Sequence, residues 1–163
     1  MDLGATICTP KSPSCLSCPW SASCAARAAG TETAFPVKAA KKARPVRHGH
    51  AWFVRDGQGR VLLRRRPDKG LLGGMTEIPT SDWLEGGLPA IEATPIEADF
   101  RALPGEVRHV FTHFELRLTV HAADARIGTA PPGGFWVDEA DLEDEALPSV
   151  MRKVAAHAIR NGG

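Results

Sequence analysis

The sequence lacks the features that would place the protein in a membrane or outside the cell. It has no apolar run near the length of a membrane-spanning helix, no signal peptide ahead of its first cysteine, and no cysteine after Cys24. Structural disulfides form in oxidising compartments, so these absences disfavour a secreted, disulfide-bonded protein. We expect a cytoplasmic monomer that does not bind membranes.

The charge of the chain is small overall but unevenly distributed. The 163 residues carry a formal net charge of +1. Residues 1–69 contain thirteen Lys and Arg against four Asp and Glu, a balance of +9, whereas residues 70–163 contain seven against fifteen, a balance of −8. The first part is therefore suited to a polyanion such as nucleic acid, although solvated basic faces would show the same composition.

All four cysteines lie within one short segment, at Cys8, Cys15, Cys18 and Cys24. Their spacing, CX6CX2CX5C, allows four thiolates to converge on one soft metal centre, either an iron-sulfur cluster or zinc. Structural zinc sites usually show two CX2C-like pairs set well apart, often with histidine, whereas this segment has one such pair between longer arms. The spacing favours a cluster, and zinc and disulfides remain alternatives.

Composition divides the chain into a cysteine segment at 1–29, a linker at 30–47 and a folded domain at 48–163. The linker contains prolines and a run of cations, which would either follow DNA as an extended strap or keep two units apart. The cations are Lys38, Lys41, Lys42, Arg44 and Arg47.

Residue patterns in the domain predict an α+β fold with a mixed sheet. Apolar alternation changes parity at Thr112 and His113, which predicts a bulge or break between two strands. The predicted elements are, in chain order, strands at 50–55 and 60–66, a glycine-rich turn before Pro79, a short helix around 90–93, a strand region at 106–121, a strand at 134–137, and a helix at 148–160 capped by Ser149.

Two parts of the sequence resemble one protein family. MDLGATICTPKSPSCLSCPWSASC resembles the end of the catalytic domain of the endonuclease III superfamily, specifically adenine DNA glycosylases of the MutY type. LRRRPDKGLLGGMTEIP and ALPSVMRKVAAHAI resemble the C-terminal domain of the same glycosylases, although Thr76 and Ile78 stand where aromatic residues are more usual. The resemblance implies a Nudix-like mixed sheet with flanking helices, a 4Fe-4S cluster on the four cysteines, and a DNA phosphate contact by Lys11.

Phe111, Thr112 and His113 place a ring, a hydroxyl and an imidazole together at the predicted strand break. Such groups can stack on bases or bond to their edges, although a buried Phe111 with two ordinary surface neighbours would give the same pattern. The resemblance implies that this triplet recognises 8-oxoguanine opposite adenine in double-stranded DNA. With Lys11, these three residues are the predicted DNA-binding residues.

The resemblance implies the C-terminal part of an adenine DNA glycosylase of base excision repair, which removes adenine mispaired with 8-oxoguanine. Cleaving the glycosidic bond needs an acid and a stabilising carboxylate, and in this family both lie on a helical domain upstream of the cluster. We therefore assign no catalytic residue and expect no base excision by these 163 residues.

Two other functions remain as alternatives, a Nudix-type nucleotide pyrophosphohydrolase with a metal-binding tail and a zinc-stabilised DNA-binding module. The hydrolase needs a helix with a glutamate-rich set that holds magnesium. After Gly70 the acids Glu77, Asp82, Glu85, Glu92 and Glu97 are scattered among prolines, which argues against such a helix.

Overall fold

The computed structural model describes residues 2–37, 43–126 and 130–162. It divides the chain into two compact units, Met1–Ala43 and Arg44–Gly163. Their boundary falls inside the predicted linker, and the linker cations Lys38, Lys41 and Lys42 lie outside the described residues. Whether these cations form a basic strap therefore stays a prediction. In the described part of the chain, no helix combines the length and the apolar character needed to cross a bilayer.

The first unit consists of short turns without an apolar core. Its two helices are α1 (Leu3–Thr6) and α2 (Ala25–Ala28), and single 3₁₀ turns cover Cys15–Ser17, Ser21–Ser23 and Glu32–Ala34. None of its described residues is buried. A unit of this size without a core usually depends on disulfides or a bound metal for its stability.

The second unit is built on one eight-stranded mixed sheet and one long helix. From the edge, the main path runs β3-β2-β1-β7-β5, with β4 paired to β1, β6 to β7 and β8 to β2. The elements are β1 (Val46–Asp56), β2 (Arg60–Arg65), β3 (Thr76–Glu77), β4 (Leu84–Glu85), β5 (Arg101–Ala102), β6 (Val107–Val110), β7 (Glu115–Ala125), β8 (Gly134–Asp138) and α3 (Ser149–Asn161).

The centre of the sheet is the parallel pair β1 and β7, which stays in register from Val46 opposite Glu115 to Asp56 opposite Ala125. Both faces of the sheet are covered. One face packs against the apolar side of α3, including Val150 and Val154. On the other face, a smaller cluster around Trp52, Val54 and Leu62 packs against Ile96, Phe100 and Trp136. The prediction of an α+β fold with a mixed sheet is confirmed.

Three local predictions differ from the structure. Strand β1 begins at Val46 rather than at residue 50, because its first residues pair with the distant strand β7. Residues 90–93 form no helix. Helix α3 has Pro148 at its N-cap position and Ser149 as its first helical residue, so the side chain of Ser149 is not the predicted cap.

Candidate functional site

The predicted strand break is the tip of a β-hairpin. Strands β6 and β7 pair antiparallel up to Val110 opposite Glu115. The backbone N–H of Phe111 donates a hydrogen bond of 2.9 Å to the carbonyl of Phe114 and closes the turn. Thr112 and His113 occupy the two positions at its tip, and both are exposed. The hairpin therefore presents a hydroxyl and an imidazole side by side on a short ribbon.

Phe111 occupies a different environment from its two neighbours. Its half-buried ring packs against the core and lies stacked on Phe114, with ring centroids 4.8 Å apart and an interplanar angle of 29°. The ring of Trp83 stacks at 6.0 Å, and His109 meets Phe111 edge-on at 4.6 Å. Phe111 thus anchors the base of the hairpin, and its predicted contact with DNA stays a prediction.

The ring of Trp83 can pack against Phe111 because the neighbouring residue in β1 is a glycine, Gly49. A Cβ atom at Gly49 would lie 2.9 Å from Cδ1 of Trp83 and 3.2 Å from the carbonyl oxygen of Asp82. Real side chains do not approach so closely, so only glycine leaves room for the indole in this position. We call the group of Trp83, Phe111 and Phe114 the aromatic stack.

Two arginines pack against the aromatic stack from outside. The guanidinium of Arg47 lies 4.5 Å from the ring centroid of Phe114, and that of Arg66 lies 5.1 Å from the ring of Trp83. Both distances are within the range of cation-π contacts. Each arginine therefore has an aromatic partner that holds it beside the hairpin.

These two arginines and Arg64 line one open cleft of about 390 Å³, here called the arginine cleft. Glu77, which is only 1% exposed, accepts a hydrogen bond of 2.7 Å from Nε of Arg64 and another from Nη1 of Arg66. Nη2 of Arg64 also donates to the carbonyl of Thr80 at 2.9 Å. The buried carboxylate fixes the orientation of two cations at the edge of the sheet.

The segment after the glycine-rich turn contains no helix between β4 and β5. Residues 86–100 form an irregular loop between β4 and β5. Nε2 of the buried His50 lies 2.9 Å from the carbonyl oxygen of Pro89 in this loop, and its Nδ1 lies 2.8 Å from Nε2 of His121. A carbonyl can only accept, so His50 carries a proton on Nε2, and in the neutral pair His121 donates to Nδ1 of His50. Burial, followed by the neighbouring His50, lowers the pKa of His121.

The four predicted ligands come together in the first unit. Cys8, Cys15, Cys18 and Cys24 are free thiols that line one cavity of about 60 Å³. Burial, followed by the carboxylate of Glu32, raises the pKa of the Cys15 thiol, while Arg27 acts in the opposite direction. Lys11 is exposed in the turn between Cys8 and Cys15.

The resemblance to MutY-type glycosylases implies a 4Fe-4S cluster on these four thiols. Across residues 2–37, 43–126 and 130–162, no three His, Cys, Asp or Glu side chains are grouped to hold a single metal ion. The four thiols line one cavity, and four thiolates are the usual ligands of a 4Fe-4S cluster. The donor set and its cavity therefore fit a cluster.

Sequence patterns missed Trp83, Arg66 and Glu77. Their roles depend on contacts across strands and loops, which no local spacing shows. The one available signal was the run Arg64–Arg66 at the end of a strand, where alternate side chains point to the same face.

The fold and this site define the class of protein. Residues 50–157 match the family model described as "NUDIX domain", and the chain belongs to that family. The structure is also similar to the C-terminal domain of mouse MUTYH, solved in complex with human PCNA. That comparison gives a TM-score of 0.58 and 27% identity, covering 70% of this chain and 88% of that chain.

The similar proteins found by sequence share one name, whereas the fold defines only a domain family. The chain is similar to adenine DNA glycosylases from Homo sapiens, at 27% identity over 94% of this chain, and from Arabidopsis thaliana, at 39% identity over 99% of this chain. It spans 39% of the human relative and 32% of the plant relative. These similarities include the cysteine unit as well as the NUDIX domain.

Proposed function

We propose that this chain is the C-terminal part of an adenine DNA glycosylase of base excision repair, which removes adenine mispaired with 8-oxoguanine. Within it, the NUDIX unit binds double-stranded DNA and recognises 8-oxoguanine. The observation that carries the proposal is the hairpin tip, where Thr112 and His113 are exposed together on a base fixed by the aromatic stack. Similarity to adenine DNA glycosylases over nearly the whole chain supports it.

The chemistry of the tip suits the lesion. Guanine has an acceptor at N7 and a C–H at C8, whereas 8-oxoguanine has a donor at N7 and an oxygen at C8. The Thr112 hydroxyl can accept from that N7–H, and the His113 imidazole can donate to the oxygen. A two-stranded ribbon can also enter a DNA groove, where base edges are accessible. The hairpin therefore combines the shape and the polar groups that lesion recognition needs.

Binding to matched duplexes tests this function. We expect the chain to bind a duplex with 8-oxoguanine opposite adenine more tightly than one with guanine opposite adenine, as measured by fluorescence anisotropy. Thr112→Val should lower the ratio of the two affinities about tenfold, which is the contribution expected of one hydrogen bond to a base edge. Its affinity for the guanine duplex should be unchanged.

Thr94→Val is the matched control, because Thr94 is also exposed but its hydroxyl bonds within its own loop, to the carbonyl of Ile96. It should retain the full preference. Equal affinity of the unaltered chain for both duplexes would overturn the proposal.

For the first unit, we propose that Cys8, Cys15, Cys18 and Cys24 hold a 4Fe-4S cluster. A bound cluster would cross-link the four thiolates and so stabilise a unit in which no described residue is buried. Arg27 and Glu32 line the same cavity and set the charge around it, and the exposed Lys11 offers a DNA phosphate contact from the adjoining turn.

Metal analysis separates the cluster from zinc. Protein purified without oxygen should contain about four iron and four sulfide per chain and absorb visible light. One zinc per chain, without iron, would support the zinc-stabilised DNA-binding module instead. Lys11→Gln should weaken binding of damaged and undamaged duplexes equally, because a phosphate contact carries no base information.

A further inference from the structure

We propose that the arginine cleft beside the hairpin binds a backbone phosphate of the DNA strand whose base is read by the hairpin tip. This inference rests on the proposed function, since it requires the chain to bind DNA. It assigns Arg47, Arg64 and Arg66 to a second contact surface on the same unit, separate from the tip residues Thr112 and His113.

The first argument is the way in which Glu77 prepares the cleft. Its buried carboxylate holds Nε of Arg64 and Nη1 of Arg66, and two carbonyls take one further N–H from each, that of Thr80 from Arg64 and that of Leu71 from Arg66. A guanidinium has five N–H donors, so both arginines retain donors beyond these bonds. A pair of oriented guanidinium groups with remaining donors is well suited to phosphate oxygens.

The second argument concerns Arg47, which can exchange its partner. Its Nε lies 3.3 Å from Oε1 of Glu85, and both side chains are well exposed, at 39% and 56%. An exposed ion pair of this kind contributes little stability and is readily replaced by another anion. The three arginines are balanced by three carboxylates, those of Glu77, Asp82 and Glu85, so the charge of the free cleft is close to neutral. Of these acids, Glu85 is the one that a phosphate would displace from its arginine.

The third argument is position. Arg47 contacts the ring of Phe114 and Arg66 contacts the ring of Trp83, and Phe111, which packs against both rings, directly precedes the hairpin tip. A group that reads a base edge gains register from contacts to the phosphates next to that base. The cleft lies where such contacts would be made, with rigid aromatic packing between the two surfaces.

Binding measured against salt concentration tests the cleft. Arg47→Gln should weaken binding of the 8-oxoguanine and guanine duplexes by the same factor, about tenfold, and reduce the slope of log affinity against log salt by about one. Glu85→Gln should have the opposite effect and tighten binding of both duplexes, because the competing carboxylate is removed. Neither change should alter the preference between the two duplexes.

Arg160→Gln is the matched control, since it removes the same charge from an exposed position. It lies near the end of α3, where Gly162 approaches Ala122, about 20 Å along β7 from the hairpin. The inference is overturned if Arg47→Gln changes binding no more than this control, or if Glu85→Gln leaves affinity unchanged. A chain that binds no DNA would overturn the proposed function itself. If the chain prefers the 8-oxoguanine duplex but the Arg47 and Glu85 changes do not alter its DNA affinity, this inference alone is overturned.

Discussion

Single residues determine how the hairpin is held and what it presents. Thr112 and His113 are free to contact a partner because Phe111, directly before them, is fixed in the aromatic stack. Replacing Phe111 would therefore change the support of the tip, whereas replacing Thr112 or His113 would change only the groups that the tip presents. Two further single positions, Glu77 and Gly49, allow this support to be tested.

Glu77 is a buried carboxylate that holds two arginines of the second unit. In Glu77→Gln the amide can accept from one arginine, but its NH2 group faces the other, which leaves a half-buried guanidinium without its acceptor. We expect the free energy of unfolding to fall by about 2–4 kcal/mol. Urea unfolding measures it.

Glu106→Gln serves as the control for this change, because Glu106 and its ion-pair partner Arg108 are both exposed. It should cost about 1 kcal/mol or less. Equal losses in the two variants would show that Glu77 does not organise the arginines.

Gly49 tests the packing of the aromatic stack. Gly49→Ala would place a methyl group 2.9 Å from the Trp83 ring and close to backbone at Asp82, so the indole must shift. We expect a loss of about 1–3 kcal/mol in unfolding free energy. Because the clash is with this ring, the double variant with Trp83→Phe should lose less than the sum of the two single changes; strict additivity would contradict the packing described here.

The sequence revealed some of these residues and not others, for a physical reason. The four cysteines and the Thr112-His113 tip are local patterns, so spacing alone could point to them. Glu77 and Arg64 come together only through the register of β2 and β3, where they are directly opposite. Trp83 depends on a glycine in another strand, and such pairs cannot be inferred from one sequence before the fold is known.

At the scale of elements, the loop at 86–100 differs most from its prediction. A short helix was predicted within it, but Pro89 and Pro95 flank only five residues, and Pro89 is bonded through its carbonyl to His50. The prolines limit a helix, and the bond to a buried side chain fixes the loop against the sheet. The strands were easier to predict, because alternation is local, although the start of β1 was set by non-local pairing with β7.

This loop leads to a prediction about catalysis. Residues 86–100 form no glutamate-bearing helix, and Glu77 is already bonded to two arginines, so the described residues of the unit offer no carboxylate set to hold magnesium against a diphosphate. We expect no release of phosphate or pyrophosphate from 8-oxo-dGTP with magnesium. Turnover above that of a heat-denatured sample would restore the pyrophosphohydrolase alternative.

The histidine pair that fixes the loop should make stability depend on pH. The pKa of His121 is lowered in the folded protein by burial and by His50, so the unfolded chain takes up a proton at a higher pH than the folded one does. Stability is therefore complete well above the ordinary histidine pKa of about 6.5 and falls as pH decreases through that value.

His121→Gln keeps an N–H donor for His50 but does not titrate. Unfolding free energies at several pH values between about 5.5 and 7.5 should decline less steeply for this variant than for the unaltered chain. A decline of the same slope in both proteins would show that His121 is not responsible.

At the scale of the whole chain, two units of different construction share one sequence. The second unit is stabilised by apolar burial on both faces of a sheet, whereas none of the described residues of the first unit is buried and its four thiols line a common cavity. The basic balance of residues 1–69 extends from the cysteine unit into β1 and β2, which carry Arg47 and Arg64 of the arginine cleft. In the proposed function, these basic surfaces are the ones that contact DNA.

The most direct test of lesion recognition is an NMR titration of the labelled chain with two duplexes that differ only in carrying 8-oxoguanine or guanine opposite adenine. We predict that the amide resonances of Thr112 and His113 differ between the two complexes, whereas resonances around Arg47 move equally in both. If the two duplexes give identical shifts at the hairpin tip, or if the lesion-dependent shifts lie in a different part of the unit, the assignment of 8-oxoguanine recognition to this hairpin is wrong.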